Sequence, residues 1–161
     1  VSAAAPRFLE VKIFGTERVN RQLFRGALAV GNMQPALEEV ADDMMYAIQQ
    51  NFNSQGRRGG GSWKFLDKNT INEKARKGQE PFILIATGAL YDSMTQRGDS
   101  NQRLEVTDHY VSLSSELSYA DIHVTGGEHM PKRDYTQLLT SDRLRWVAIC
   151  EGYLERAMSV E

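Results

Sequence analysis

From Leu37 to Phe52, apolar side chains return at every third or fourth position: Leu37, Val40, Ala41, Met44, Ile48 and Phe52. That spacing lines up one stripe of an α-helix and turns it toward a core. Pro35 stands where a first helical turn tolerates it. The other face carries Glu38, Glu39, Asp42, Asp43, Gln49 and Gln50, and the acids near its start complement the helix dipole.

The helix stops at an abrupt change of composition. Four of the thirteen glycines fall between Gly56 and Gly61, around the adjacent Arg57 and Arg58. Glycine gives up more conformational freedom on folding than any other residue. The stretch over about residues 53–66 is therefore expected to be an extended glycine-rich arm that takes its order from a partner. Trp63, Phe65 and Leu66 form the apolar anchor that brings the chain back.

A chain of 161 residues with 41% hydrophobic and 25% charged residues is sized and composed for one domain with its own core, spanning residues 1–161. No apolar run approaches the roughly 20 residues of a transmembrane helix, and no membrane role is expected. The first residues, Val1 to Pro6, lack the charged and apolar regions of a signal peptide, from which cytoplasmic synthesis is expected. The single cysteine, Cys150, excludes an internal disulfide and any multi-cysteine metal site.

The net charge of −2 gives no general bias toward nucleic acid. Locally, Glu38 to Asp43 holds four carboxylates and no base, whereas Arg57 to Glu80 holds seven Lys or Arg against three acids. Two readings stand: a plus patch and a minus patch that meet between identical subunits, or two solvated surfaces.

Elsewhere, Phe8–Phe14 reads as a strand and Arg18–Val30 as a helix, with Val19, Leu23, Ala27 and Val30 at helical spacing. Asn69–Lys77 reads as a short basic helix closed by Gly78, and Ala89–Met94 begins another helical turn. Phe82–Ile85 is too short to separate a strand from a buried lead-in. Arg103–Thr107 and Tyr110–Ser115 alternate as a hairpin across Asp108-His109. Ser118 resembles a helix start, with Tyr119 and His123 on one side of the turn that follows. Ser141-Asp142 is expected to cap a C-terminal helix over about 141–160, with Trp146, Ile149, Cys150, Tyr153, Leu154 and Ala157 as its stripe.

The sequence has no phosphate loop, no nucleophile elbow and no His-Glu-x-x-His. Asp121, His123, Glu128 and His129 are the best metal candidates, but Gly126-Gly127 separates them and their spacing matches no standard zinc pattern. His123 is expected to lie against Tyr119 with one nitrogen hydrogen-bonded. Arg57 and Arg58 beside Trp63 and Phe65 are a candidate single-strand nucleic-acid patch. The one-sided placement of the rings and a pI near 6.0 favour the anchor reading.

The order of short motifs adds more than any one of them. The glycine stretch leads into Trp63-x-x-Leu66, then Thr70 and Lys74. Leu84-Ile85-Ala86-Thr87-Gly88-Ala89-Leu90-x-x-Ser93 and Tyr119-Ala120-x-x-His123 follow, with Gly126-Gly127 and Pro131-x-Arg133-x-Tyr135 last. In this order they resemble the virion morphogenesis and tail completion family of long-tailed phages, over about Phe52 to Tyr135 and on into the C-terminal helix. Val124 and Lys132 depart from the family's usual Gln and Ala.

The resemblance implies an α+β subunit, a small antiparallel or mixed sheet on long helices, without enzymatic activity or cofactor. It further implies a homo-oligomeric, hexameric ring in the virion at the head-proximal end of the tail. That ring caps the tail tube and meets neck or head-closure proteins; a neck connector is the alternative, and direct nucleic-acid binding ranks below both. Arg57, Arg58, Trp63 and Lys64 are the candidate interface residues, with Glu38, Glu39, Asp42 and Asp43 as the receiving face. Thr87, Gly88, Leu90, Tyr119, Ala120, His123, Gly126, Pro131 and Arg133 are assigned to the fold, with Gly88 permitting a tight turn and Arg133 forking onto a carboxylate.

Overall fold

The structure is a computed structural model that describes residues 17–159, so the strand expected at Phe8–Phe14 lies outside the described residues. The described chain is α+β. Its elements are α1 (Glu17–Val30), α2 (Gln34–Asn53), α3 (Lys68–Arg76), α4 (Ala89–Thr95), β1 (Gln102–Val106), β2 (Val111–Ser115), α5 (Ala120–Thr125) and α6 (Thr140–Ser159). A 3-10 turn at Arg58–Gly60 sits between α2 and α3.

The long helix expected from the apolar period is α2, and it lies at the centre. It packs against α6 on one side and against α4 and the hairpin on the other, while α1 lies along α6. Small residues let these neighbours approach: Ala36, Ala41 and Ala47 of α2 are fully buried. The hairpin is antiparallel with Leu104 opposite Leu113 and Val106 opposite Val111. Those positions are half-buried and alternate with exposed ones on both strands, as a sheet with one dry face requires.

The core gathers at the C-terminal end of α2. Phe52 has no exposed surface; it stacks on Tyr135 at 5.5 Å and meets Trp63 and Tyr91 edge-on at 5.8 and 5.4 Å. Such ring pairs add to the burial of their area. Ile48, Ile83, Leu90, Met94 and Ala120 complete the cluster. Beside Phe52, the Asn51 amide is buried and its Nδ2 donates to the carbonyls of Tyr135 and Gln137, both at 2.8 Å, tying the extended segment before α6 to α2.

Several local expectations are corrected. Phe82–Ile85 is neither strand nor helix but a turn with Leu84 at φ 62°. Only Ile83 of this run is fully buried, and its N–H is satisfied by Gln55 Oε1 at 2.6 Å. Ser118 caps nothing; α5 begins after Tyr119, which makes no side-chain cap. The last helix starts one residue before Ser141. Asp142 therefore lies in its first turn and reaches back to accept the Leu139 N–H at 2.9 Å, which is one half of a capping box. The apolar stripe of α6 is as expected, with Trp146, Ile149, Cys150, Tyr153, Leu154 and Ala157 all half-buried.

The glycine stretch is a closed loop and not an extended arm. After α2 the chain turns at Gln55 (φ 53°) and Gly56 (φ 75°), and the Trp63 N–H returns to the Gln55 carbonyl at 3.3 Å. The Trp63 ring lies so close on Gly56 that a Cβ there would stand 2.3 Å from the indole. The sequence showed the entropy cost of four glycines; the contacts that offset it come from this chain's own tryptophan.

Gly56→Ala is expected to destabilise the protein well beyond Gly60→Ala. Both residues have positive φ, but only Gly56 has a ring in the way. Urea denaturation of the two variants measures the difference. Equal midpoints would mean that the Trp63–Gly56 contact does not order the loop.

Candidate interaction surfaces

The charged residues expected to meet a neighbour are mostly engaged within the chain. Arg58 donates to the Asp142 carboxylate and, at 3.2 Å, to the Ala47 carbonyl. Asp142 is fully buried and also accepts from Arg145 at 2.9 Å. Burial alone would push the Asp142 carboxyl up, but the Arg58 hydrogen bond and charge, with the Leu139 N–H and Arg145, hold it below the ordinary range. Arg58 is therefore a structural cation that secures the glycine loop to the start of α6. Expected at a partner contact, it is engaged within its own chain.

The acidic face of α2 is likewise occupied. Arg97 bridges Glu38 and Asp42, with 2.8 Å contacts to each, and the Asp42 hydrogen bond raises its pKa above the ordinary value. Asp43 takes Arg145 at 3.1 Å and the Trp146 indole N–H at 2.7 Å, and Glu39 stands 3.5 Å from Arg156. These carboxylates face arginines of this chain. Trp63 is core, with its indole N–H on the Asp134 carbonyl at 3.3 Å. Arg57 and Lys64 stay exposed.

The motif residues assigned to the fold converge instead on one cleft of about 740 Å³. Thr87, Gly88 and Leu90 at the start of α4, Tyr119 and His123 of the α5 turn, Pro131 and Arg133, and Lys64, Asp67 and Lys74 all line it. Gly88 precedes α4 at φ 90°, as a tight turn there requires, and its carbonyl accepts the Asp92 N–H at 2.8 Å. Gly126 ends α5 at φ 80°, with Lys132 backbone 3.2 Å from where its Cβ would be. Ala120 lies in the core behind the cleft.

Two buried cations build the cleft wall. Lys74 passes its ammonium to the carbonyls of Ile85, Phe82 (2.8 Å) and Glu80 (3.2 Å), so that α3 organises the turn below it. Arg133 was expected to fork onto a carboxylate. Its Nε and Nη2 both donate to the Lys64 carbonyl, at 3.1 and 3.0 Å. Desolvation lowers the pKa of both groups. His123 meets Tyr119 edge-on at 6.1 Å, but its Nδ1 is buried with no hydrogen-bond partner, against the expectation of a satisfied ring. Burial, then the charge of Arg133, lowers the His123 pKa. Asp121, His123, Glu128 and His129 do not assemble as a ligand set, and no group of three His, Cys, Asp or Glu among the described residues is placed to hold a metal.

Asp142, Arg97 and Arg145 escaped sequence reasoning because their partners lie far along the chain. The sequence signal present, an acid in the first turn of α6, was read as a cap alone. The family model described as phage virion morphogenesis family matches residues 15–154. No curated protein and no solved structure matches the chain.

Removing Arg58 leaves a buried carboxylate short of its main partner. Arg58→Ala is expected to cost about 3 kcal/mol, while the exposed Arg57→Ala stays within about 0.5 kcal/mol of the parent. Chemical denaturation at neutral pH decides between this and two equal, small effects. For His123 the pH sign follows from its lowered pKa. Above the ordinary value of 6.5 the ring is neutral in both states. As pH falls through that value the unfolded chain takes the proton first, and stability drops until the folded ring's own lower pKa is reached. His123→Gln should flatten this segment of the stability–pH curve, and an unchanged slope would refute the assignment.

Proposed function

The chain belongs to the phage virion morphogenesis family, and from that footing we propose that it is the subunit of a hexameric ring that caps the head-proximal end of the tail tube and joins it to the neck or head. Its role is to associate with neighbours and not to turn over a substrate.

The observation that carries the self-association is the orientation of α1. Gly26 and Ala29 face α6, where a Cβ on Gly26 would lie 3.2 Å from Met158. At 100° per residue, Phe24, Ala27 and Leu28 fall on the side turned away from α6, and Leu23 and Val30 flank the contact. Leu23, Phe24, Leu28 and Val30 are 58, 66, 59 and 57% exposed. The helix thus packs by its small residues and presents its large apolar ones outward. A contiguous apolar stripe on a folded surface marks an association site, and contacts that close by rotation between identical copies make a ring. With the acids of α2 and Arg58 already paired, this stripe replaces the glycine loop as the proposed subunit contact.

The native mass of the purified protein is expected to be a closed multiple of the 18.2 kDa chain. Phe24→Glu with Leu28→Glu should reduce it to the monomer without loss of helical circular dichroism. A parent protein that is monomeric at micromolar concentration would end the ring proposal.

A further inference from the structure

The cleft at the motif residues has an unbalanced charge. Lys64, Lys74 and Arg133 line it against one carboxylate, Asp67. Asp67 caps α3, accepting the Thr70 N–H at 2.8 Å and its hydroxyl at 3.1 Å, and its charge also favours the Arg133 cation, so it offsets only part of the excess. Lys74 and Arg133 are each only 8% exposed. Cations this deep are ordinarily paired with a carboxylate. Here every hydrogen bond they make ends on a backbone carbonyl. Carbonyl dipoles solvate a cation but do not neutralise it, so the wall keeps a positive field directed into the cleft.

The lining also has apolar residues. Phe65 is 71% and Tyr119 42% exposed, and Leu84, Met130 and Pro131 line the cleft with them. A phosphodiester backbone would want several free Lys and Arg donors along an open track, whereas this is a single cleft with apolar residues among its lining and with Lys74 already on three carbonyls. A peptide that alternates carboxylate and apolar side chains matches both halves of the surface. We propose that this cleft receives an acidic peptide segment with apolar flanking residues, from a different protein of the virion. His123, whose buried Nδ1 has no hydrogen-bond partner among the described residues, also lines the cleft. The inference rests on family membership and on the cleft, and does not require the ring.

The three histidines make the test direct, since His123 and His129 line the cleft while His109 sits in the hairpin turn between β1 and β2. The probe is a short acetylated peptide of alternating leucine and glutamate, with its leucine and glutamine counterpart as control. Ring C–H signals are followed by NMR and affinity by calorimetry. The glutamate peptide should shift His123 and His129 but not His109, and should bind at least about tenfold more tightly than the glutamine peptide. Lys64→Glu, an exposed substitution, should weaken it about tenfold with the dichroism unchanged.

Equal affinity for the two peptides, shifts confined to His109, or no effect of Lys64→Glu would overturn the proposal. So would displacement of the peptide by a single-stranded oligonucleotide at lower concentration, which assigns the cleft to nucleic acid. A fall in native mass caused by Lys64→Glu would assign it to a second copy. Peptide binding is read on the cleft histidines whatever the oligomeric state, so failure here and failure of the ring are separate results.

Discussion

Phe52 is the contact on which the remainder of the structure depends. It stands at the last turn of α2 and touches three rings from three separate segments: Trp63 after the glycine loop, Tyr91 of α4 and Tyr135 of the segment that leads to α6. Its three partners come from a loop, a seven-residue helix and an irregular segment. Because Phe52 is wholly buried, the loop, the 83–90 turn and the 131–139 segment all take their positions from one side chain. Asn51 beside it supplies the hydrogen bonds that hold the last of these in place. A strongly helical scaffold thereby fixes the irregular backbone from which the cleft is built.

Charge has two separate uses. The acidic face of α2 and the carboxylate of Asp142 gather arginines from distant parts of the same chain and fasten α6, the glycine loop and the loop after α4 around the central helix. The cleft is the converse. Its buried cations have carbonyl partners, and among the lining residues Lys64, Lys74 and Arg133 outnumber the one carboxylate, Asp67. The apolar stripe of α1 and this cleft are different kinds of surface, one suited to hydrophobic association and the other to recognising charge.

Much of the fold was legible beforehand. The three-and-four spacing of α2, the half-buried stripe of α6 and the alternation of the hairpin are local periodicities, and a solvated chain displays them before anything docks. Gly88 was identified as a turn residue because positive φ is a property of the residue itself. The glycine loop was misread for an equally physical reason. Four glycines reveal what it costs to order a segment, but not whether the offsetting contact is a neighbour's surface or the chain's own Trp63. Arg58 was misplaced with it, since an arginine between glycines looks solvent-bound until Asp142, 84 residues away, is brought to it.

From its residues alone the chain determined which segments are helical, where the hairpin turns, and that its motif order resembles phage virion morphogenesis proteins, because spacing, turn chemistry and motif order are written along the backbone. Only the tertiary structure decided that α1 turns its large apolar residues outward, that the acids of α2 belong to Arg97 and Arg145, and that the motif residues share a cleft. Those outcomes depend on how helices dock. The attraction between two charges, or the fit of Gly26 against Met158, exists only once elements far apart in sequence have come within a few ångströms of each other.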